Sequence, residues 1–317
     1  MTEPWAYVLS YFTSADEALH LAVSRDGATF SPLNNARPVL RGEVGTRALR
    51  DPFIGIGPDD QFHLLATDGW TSTSIVHTSS PDLVTWSPQR LLPVMDSVPG
   101  ALNAWAPEFF FDPESGSYHL LWSSVIDETG STDRDWEHEG QDHRIWHATT
   151  ADFSSIAPPQ PFFDPGHAVI DATVHRAGDA FVMAYKDERG RNDAATPDSK
   201  HIMFTGFERP GGPFRAPVGP LGPPLTEGPA LYRRNGSWIV LFDRYLDDGY
   251  GASESRDGQT WLETEIDVPS GTRHASVLTL SHAAARRVGW DALGAKIGTA
   301  PDEEWRTQDP PTQEVHQ

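Results

Sequence analysis

The 317-residue chain contains no cysteine, which excludes disulfides and thiolate metal sites and agrees with a reducing compartment. It has no uninterrupted apolar stretch of about 18 residues, the length a membrane-crossing helix needs. Its opening, MTEPWAYVLSYF, lacks the basic and apolar regions of a secretory signal. A soluble, cytoplasmic protein is expected. Basic residues are scarce, 24 Lys and Arg against 45 Asp and Glu, and the formal net charge of −21 disfavours nucleic acid and anionic membranes as partners. Neutral partners remain, and sugars are the obvious class. No glycine loop of the phosphate-cradling kind is present, and no HxxxH or carboxylate cluster has transition-metal spacing.

What the chain has in quantity is turn residues and aromatics. With 27 Gly, 27 Pro and 10% aromatic residues, it suits many short strands joined by tight turns and not a helical bundle. The strands recur as a unit. Polar openings stand at RDPFIGI (50–56), WAPEFFF (105–111), IDATVHR (170–176), EGPALYR (227–233) and RHASVLTL (273–280). The first four are each followed by a turn and an apolar run: FHLLAT, YHLLWSS, AFVMAY and SWIVLF. A repeat of this size made only of strands predicts an all-β, five-bladed β-propeller. The last opening lacks its second and third strands. AYVLSYFT (6–13) and ALHLAVSRDGATFS (18–31) supply them from the other end of the chain, closing the ring and removing an open edge. The predicted blades are 51–90, 105–160, 170–216, 227–263, and 271–282 with 5–31. Together they form one domain over 1–300, followed by a poorly ordered tail over 301–317. The charged stretch 126–143 is expected to be a mobile loop or a flap over the site.

First strands of propeller blades line the axis, so Asp51, Glu108, Asp171, Glu227 and His274 should converge at one end of the channel. Crowded carboxylates raise one another's proton affinity, and that is how a general acid stays protonated beside an ionised base. Trp105 either stacks on a sugar or packs between blades; Glu108 is a substrate-binding candidate, or its WAPE run turns the strand with the carboxylate fixing a neighbour. Lys186 and Arg244 end the second runs of their blades, where they are candidates to reach substrate hydroxyls or a carboxylate. His63 and His119 recur at equivalent positions, which argues for packing, and Asp247 and Asp248 belong to a turn.

The order Asp-Pro, Trp-Ala-Pro-Glu, Ile-Asp, Glu-Gly-Pro, Arg-His over residues 50–280 resembles glycoside hydrolase family 43, the five-bladed propeller enzymes acting on arabinofuranosides and xylosides. The resemblance implies Asp51 as general base, Glu227 as general acid and Asp171 as the carboxylate that holds up the acid's proton affinity. It also implies His274 as the axial histidine, near a central water or a structural Ca2+, with no cofactor required. Inversion at the anomeric carbon would follow, with the Asp51 and Glu227 carboxyl groups roughly 6.5 to 9.5 Å apart. Two positions depart from the family pattern: Arg50 before the base and Ala275 after the histidine. Fructan-cleaving propellers share Arg-Asp-Pro, but they carry an Asn-Asp-Pro-Asn opening and a Glu-Cys acid that this chain lacks. A propeller that binds sugar without cutting it is the other alternative.

Overall fold

A computed structural model describes residues 4–127, 142–190, 199–247, 249–290 and Leu293. The expected flap, for the most part, and the expected tail lie outside these residues, as does Asp248.

The chain opens with β1 (Ala6–Phe12), β2 (His20–Ser24) and β3 (Ser31–Pro32). The first complete blade is β4 (Arg50–Ile56), β5 (Phe62–Thr67), β6 (Ile75–Ser80) and β7 (Arg90–Leu92). The second is β8 (Trp105–Asp112), β9 (Ser117–Ser124), β10 (Arg144–Thr150) and β11 (Gln160–Phe163). The third is β12 (Val169–Ala177), β13 (Ala180–Asp187) and β14 (His201–Phe207). The fourth is β15 (Glu227–Arg234), β16 (Ser237–Arg244), β17 (Gly249–Ser255) and β18 (Leu262–Thr264). Finally β19 (Arg273–Leu280) pairs antiparallel with β1 in the order β19-β1-β2-β3, so both ends of the propeller chain share one sheet.

The third blade has three strands because its outer segment, RPGGPFRAPVGPLGPP, is too rich in proline to donate a hydrogen-bond ladder. Only isolated bridges, Phe204 to Val218 and Phe207 to Phe214, mark the place of a fourth strand.

Five apolar clusters hold the ring, one at each seam between neighbouring blades. Leu64 of β5 lies in the seam with the closing blade, whereas the next residue, Leu65, lies in the seam with the second blade. Leu120 and Leu121 of β9 divide in the same way between two seams, as do Val240 and Leu241 of β16. Successive side chains of a strand point to opposite faces. Both faces of a blade are covered, so these strands read as continuous apolar runs instead of alternating ones. His63 and His119 pack as their repetition suggested. His63 stacks on Phe153 with ring centroids 4.3 Å apart, and His119 stacks on Phe110 at 4.9 Å.

After β19 comes α1 (His282–Val288), which the strand repeat gave no reason to expect. Ser281 caps it by accepting from the Ala284 amide at 3.2 Å, and Gly289 ends it in the left-handed conformation. Its Ala284, Ala285 and Val288 extend the seam between the first and closing blades.

Candidate active site

The five inner strands share one irregularity at their mouth ends. The strand register slips by a residue between Arg50 and Phe53, Trp105 and Glu108, Ile170 and Thr173, and Glu227 and Ala230. It slips again where β19 meets β1. The extra residue of each bulge has positive φ: Asp51 (48°), Ala106 (47°), Asp171 (57°), Gly228 (55°) and His274 (27°). Asp51, Asp171 and His274 therefore occupy one structural position. Glu227 stands one residue before it, level with Arg50, Trp105, Ile170 and Arg273, and Glu108 stands two residues after it. The carboxylates thus enter the channel from three levels.

Left-handed backbone costs a non-glycine residue about 1 to 2 kcal/mol, and the openings are held by bonds from the neighbouring blade. The Thr67 hydroxyl, at the mouth end of β5, accepts from the Ala106 amide at 2.8 Å and donates to Asp51 Oδ2 at 2.6 Å. Ser123, at the matching place in β9, accepts from the Asp171 amide at 3.0 Å. Asp243, at the matching place in β16, accepts from the His274 amide at 3.2 Å. The Gly228 amide donates to Asp171 Oδ2 at 3.1 Å. A Cβ on Gly228 would lie 2.9 Å from the His274 ring, so the glycine of the Glu-Gly-Pro opening is what lets two blades approach here.

His274 is the centre of the arrangement. Its Nδ1 lies 3.5 Å from Asp51 Oδ1 and 4.0 Å from Asp171 Oδ2. Burial works to lower its proton affinity, but Asp171, Asp51, Glu227 and Glu108 together raise it above the ordinary histidine value. Asp171 is pushed up to about 6, chiefly by burial; His274 and Lys186 oppose the shift, while Glu227 and Asp51 add to it. Burial pushes Glu108 up to about 8, against a hydrogen bond with Thr173 and the charge of His274.

The Glu108 shift carries a test. The folded chain holds this proton up to about 8 and the unfolded chain only up to the ordinary 4.5. Stability must therefore fall as pH rises between those two values, with no further loss above the upper one. Glu108→Gln removes the titration, so its melting temperature should gain on that of the native protein across this window. A pH-independent offset between the two melting curves would contradict the assignment.

Glu227 is half-buried, and its Oε2 accepts from Lys186 Nζ at 2.9 Å. Lys186 is buried and fully engaged within the protein, so it orients a carboxylate and is not a free arm for substrate hydroxyls. Opposite Glu227 in the strand pair stands Asp243, which the sequence reading did not single out. It has no exposed surface, is pushed up to about 6 by burial and then by Glu227, and lies 3.1 Å from Arg273 Nη1. A signal existed: Thr67, Ser123, Lys186 and Asp243 all stand last or next to last in second strands, and polar residues there are what tie one opening to the next.

Trp105 sits at the rim. Its indole nitrogen donates to the Trp70 carbonyl at 2.8 Å, and its ring meets that of Trp70 edge-to-face at 5.5 Å. Trp70 is 54% exposed, the larger free aromatic surface of the two. Arg50 is held beneath it, 4.5 Å from the Trp70 ring and 2.5 Å from Glu17 Oε1. Arg244 is not brought to the carboxylates. It follows Asp243 on β16, pairs with Asp247 at 3.3 Å in the turn beyond, and is 43% exposed. The residues around His274 do not fit a bound cation either. Its Nδ1 faces two carboxylates whose charge favours the imidazolium, and among the described residues no three His, Asp or Glu side chains are so arranged that they could hold a metal ion.

A model for a family 43-related glycosyl hydrolase domain, described as "Probable glycosyl hydrolase domain", matches residues 3–285. The chain belongs to this family. Family 43 also accounts for the architecture. A thermostable family-43 glycoside hydrolase superposes with a TM-score of 0.57 at 17% identity, covering 74% of this chain and 80% of that one. The α-L-arabinofuranosidase of Lactobacillus brevis superposes with a TM-score of 0.53 at 18% identity, covering 72% and 78%. At these identities the likeness is one of fold. In sequence, an α-L-arabinofuranosidase of Bifidobacterium longum subsp. longum is 28% identical over 185 residues. That alignment takes in 52% of this chain and 17% of the relative, so the chain spans a small part of its length.

Proposed function

We propose that the protein is an inverting glycoside hydrolase that cleaves α-L-arabinofuranosidic or β-D-xylosidic bonds in plant-type oligosaccharides. Asp51 takes a proton from water as the water attacks the anomeric carbon, and Glu227 gives a proton to the departing oxygen. Each turnover leaves the base protonated and the acid ionised, and exchange with solvent resets both. Asp171 bonds the Gly228 amide beside Glu227 and keeps negative charge near it. His274, facing Asp51 and Asp171, balances the charge of those two carboxylates. Trp105 and Trp70 offer an apolar wall of the kind that sugar faces stack on.

The observation that carries this assignment is the gathering of Asp51, Asp171 and Glu227 about one half-buried histidine at the mouth of the propeller. Arabinofuranoside is placed ahead of xyloside because the B. longum relative is named for that activity. Release of 4-nitrophenol from aryl α-L-arabinofuranoside and aryl β-D-xyloside tests the proposal. Turnover of either one supports hydrolysis and ranks the two sugars. Sugar binding with no release from either substrate would leave a carbohydrate-binding propeller.

A further inference from the structure

Lys186 poses a difficulty for the proposed acid. The ammonium group of Lys186 stands 2.9 Å from Glu227 Oε2, and a proton donor has to hold its proton at working pH. The surroundings of Lys186 resolve this. Its Nζ lies 2.6 Å from Glu188 Oε1, nearer than it lies to Glu227, in a contact that is ionic and not an aligned hydrogen bond. The other oxygen of Glu188 accepts from Lys200 Nζ at 2.9 Å. The four groups therefore form a line of alternating charge, Lys200, Glu188, Lys186 and Glu227. Their side chains are 12%, 16%, 4% and 30% exposed, so solvent screens the inner members little. Burial pushes Glu188 up, but Lys186 and Lys200 outweigh it and hold the carboxylate down at about 2.

We propose that Glu188, anchored by Lys200, is a positioning residue that draws Lys186 off Glu227 and thereby sets the pH at which Glu227 releases its proton. This inference rests on Glu227 being the proton donor. Other groups also face Glu227: Asp171 from β12, Asp243 from β16, Tyr245 from the turn after it, Tyr250 from β17 and His274 from β19. Of these, Tyr245 also feels the charge of Glu188, whereas the ion pairs of Glu188 run to Lys186 and Lys200.

With the carboxyl carbons of glutamate labelled with 13C, and the Glu227 signal identified by its loss in Glu227→Gln, the Glu227 titration can be followed without turnover. Glu188→Gln frees Lys186 for Glu227, and the midpoint should fall by about one pH unit, within the range that a nearby charge commands. Lys200→Met strengthens the hold of Glu188 on Lys186, and the midpoint should rise; this variant carries the test if Glu188→Gln does not fold. In a Lys186→Met background, Glu188→Gln should shift the midpoint little, because the intermediary is gone. An unmoved midpoint in both single variants, or an equal shift with and without Lys186, would overturn the inference. The alkaline limb of kcat/KM, measured on the same proteins, separates this from the proposed function. A Glu227 midpoint that moves while the limb stays fixed would keep the line of charges and remove Glu227 as the donor.

Discussion

Glu227→Gln is expected to reduce turnover of oligosaccharides by about 10² to 10⁴-fold, the usual contribution of a positioned proton donor. The loss should be much smaller on 4-nitrophenyl glycosides, because nitrophenolate departs without needing a proton. Glutamine keeps the shape of the side chain and can still accept from Lys186, and Lys186 retains Glu188, so the fold and the sugar site should survive. Sugar binding followed by calorimetry should be retained. The measurement that checks this is kcat/KM against leaving-group acidity for both proteins. A steeper dependence in the variant is the expected outcome, and an equal loss on every leaving group would assign Glu227 some other role.

Asp51→Asn should produce a loss of similar size, about 10² to 10⁴-fold, but one that is equal for good and poor leaving groups. The base acts on water, and the chemistry of the departing group does not enter its task. The substitution suits the backbone, since asparagine adopts positive φ more readily than most residues and Asp51 has φ of 48°. Its amide oxygen can still accept from Thr67. Unchanged melting with lost turnover is the expected pair of results. A loss that grows with leaving-group pKa would indicate that the two carboxylates have exchanged roles.

The ring of five blades is legible in the sequence because each second strand is buried on both faces and reads as an unbroken apolar run. Leu64 and Leu65, or Leu120 and Leu121, each serve a different seam. Closure by the N-terminal strands is legible for the same reason: AYVLSYF matches the other second strands and is buried throughout. The outer strand of the third blade is not, since proline removes the donors that would define it.

At the site, residue types are readable and so is their stagger, since the shared proline of RDPFIGI, WAPEFFF and EGPALYR sets Asp51 beside Gly228 and Glu227 one residue earlier. The bulge is not: only the strand pairing shows that one extra backbone residue stands at every opening. Asp243 escaped notice because it ends an apolar run, next to Arg244, which drew attention as the charge nearer the turn. Only the pairing of β15 with β16 shows that Asp243 faces Glu227 and that Arg244 looks elsewhere.

The central claim is single displacement by water between Asp51 and Glu227. Proton NMR of the first sugar released from an aryl α-L-arabinofuranoside, recorded before mutarotation, tests it most directly. Appearance of the β-anomer first is the predicted result, and first appearance of the α-anomer, the configuration of the substrate, would contradict it.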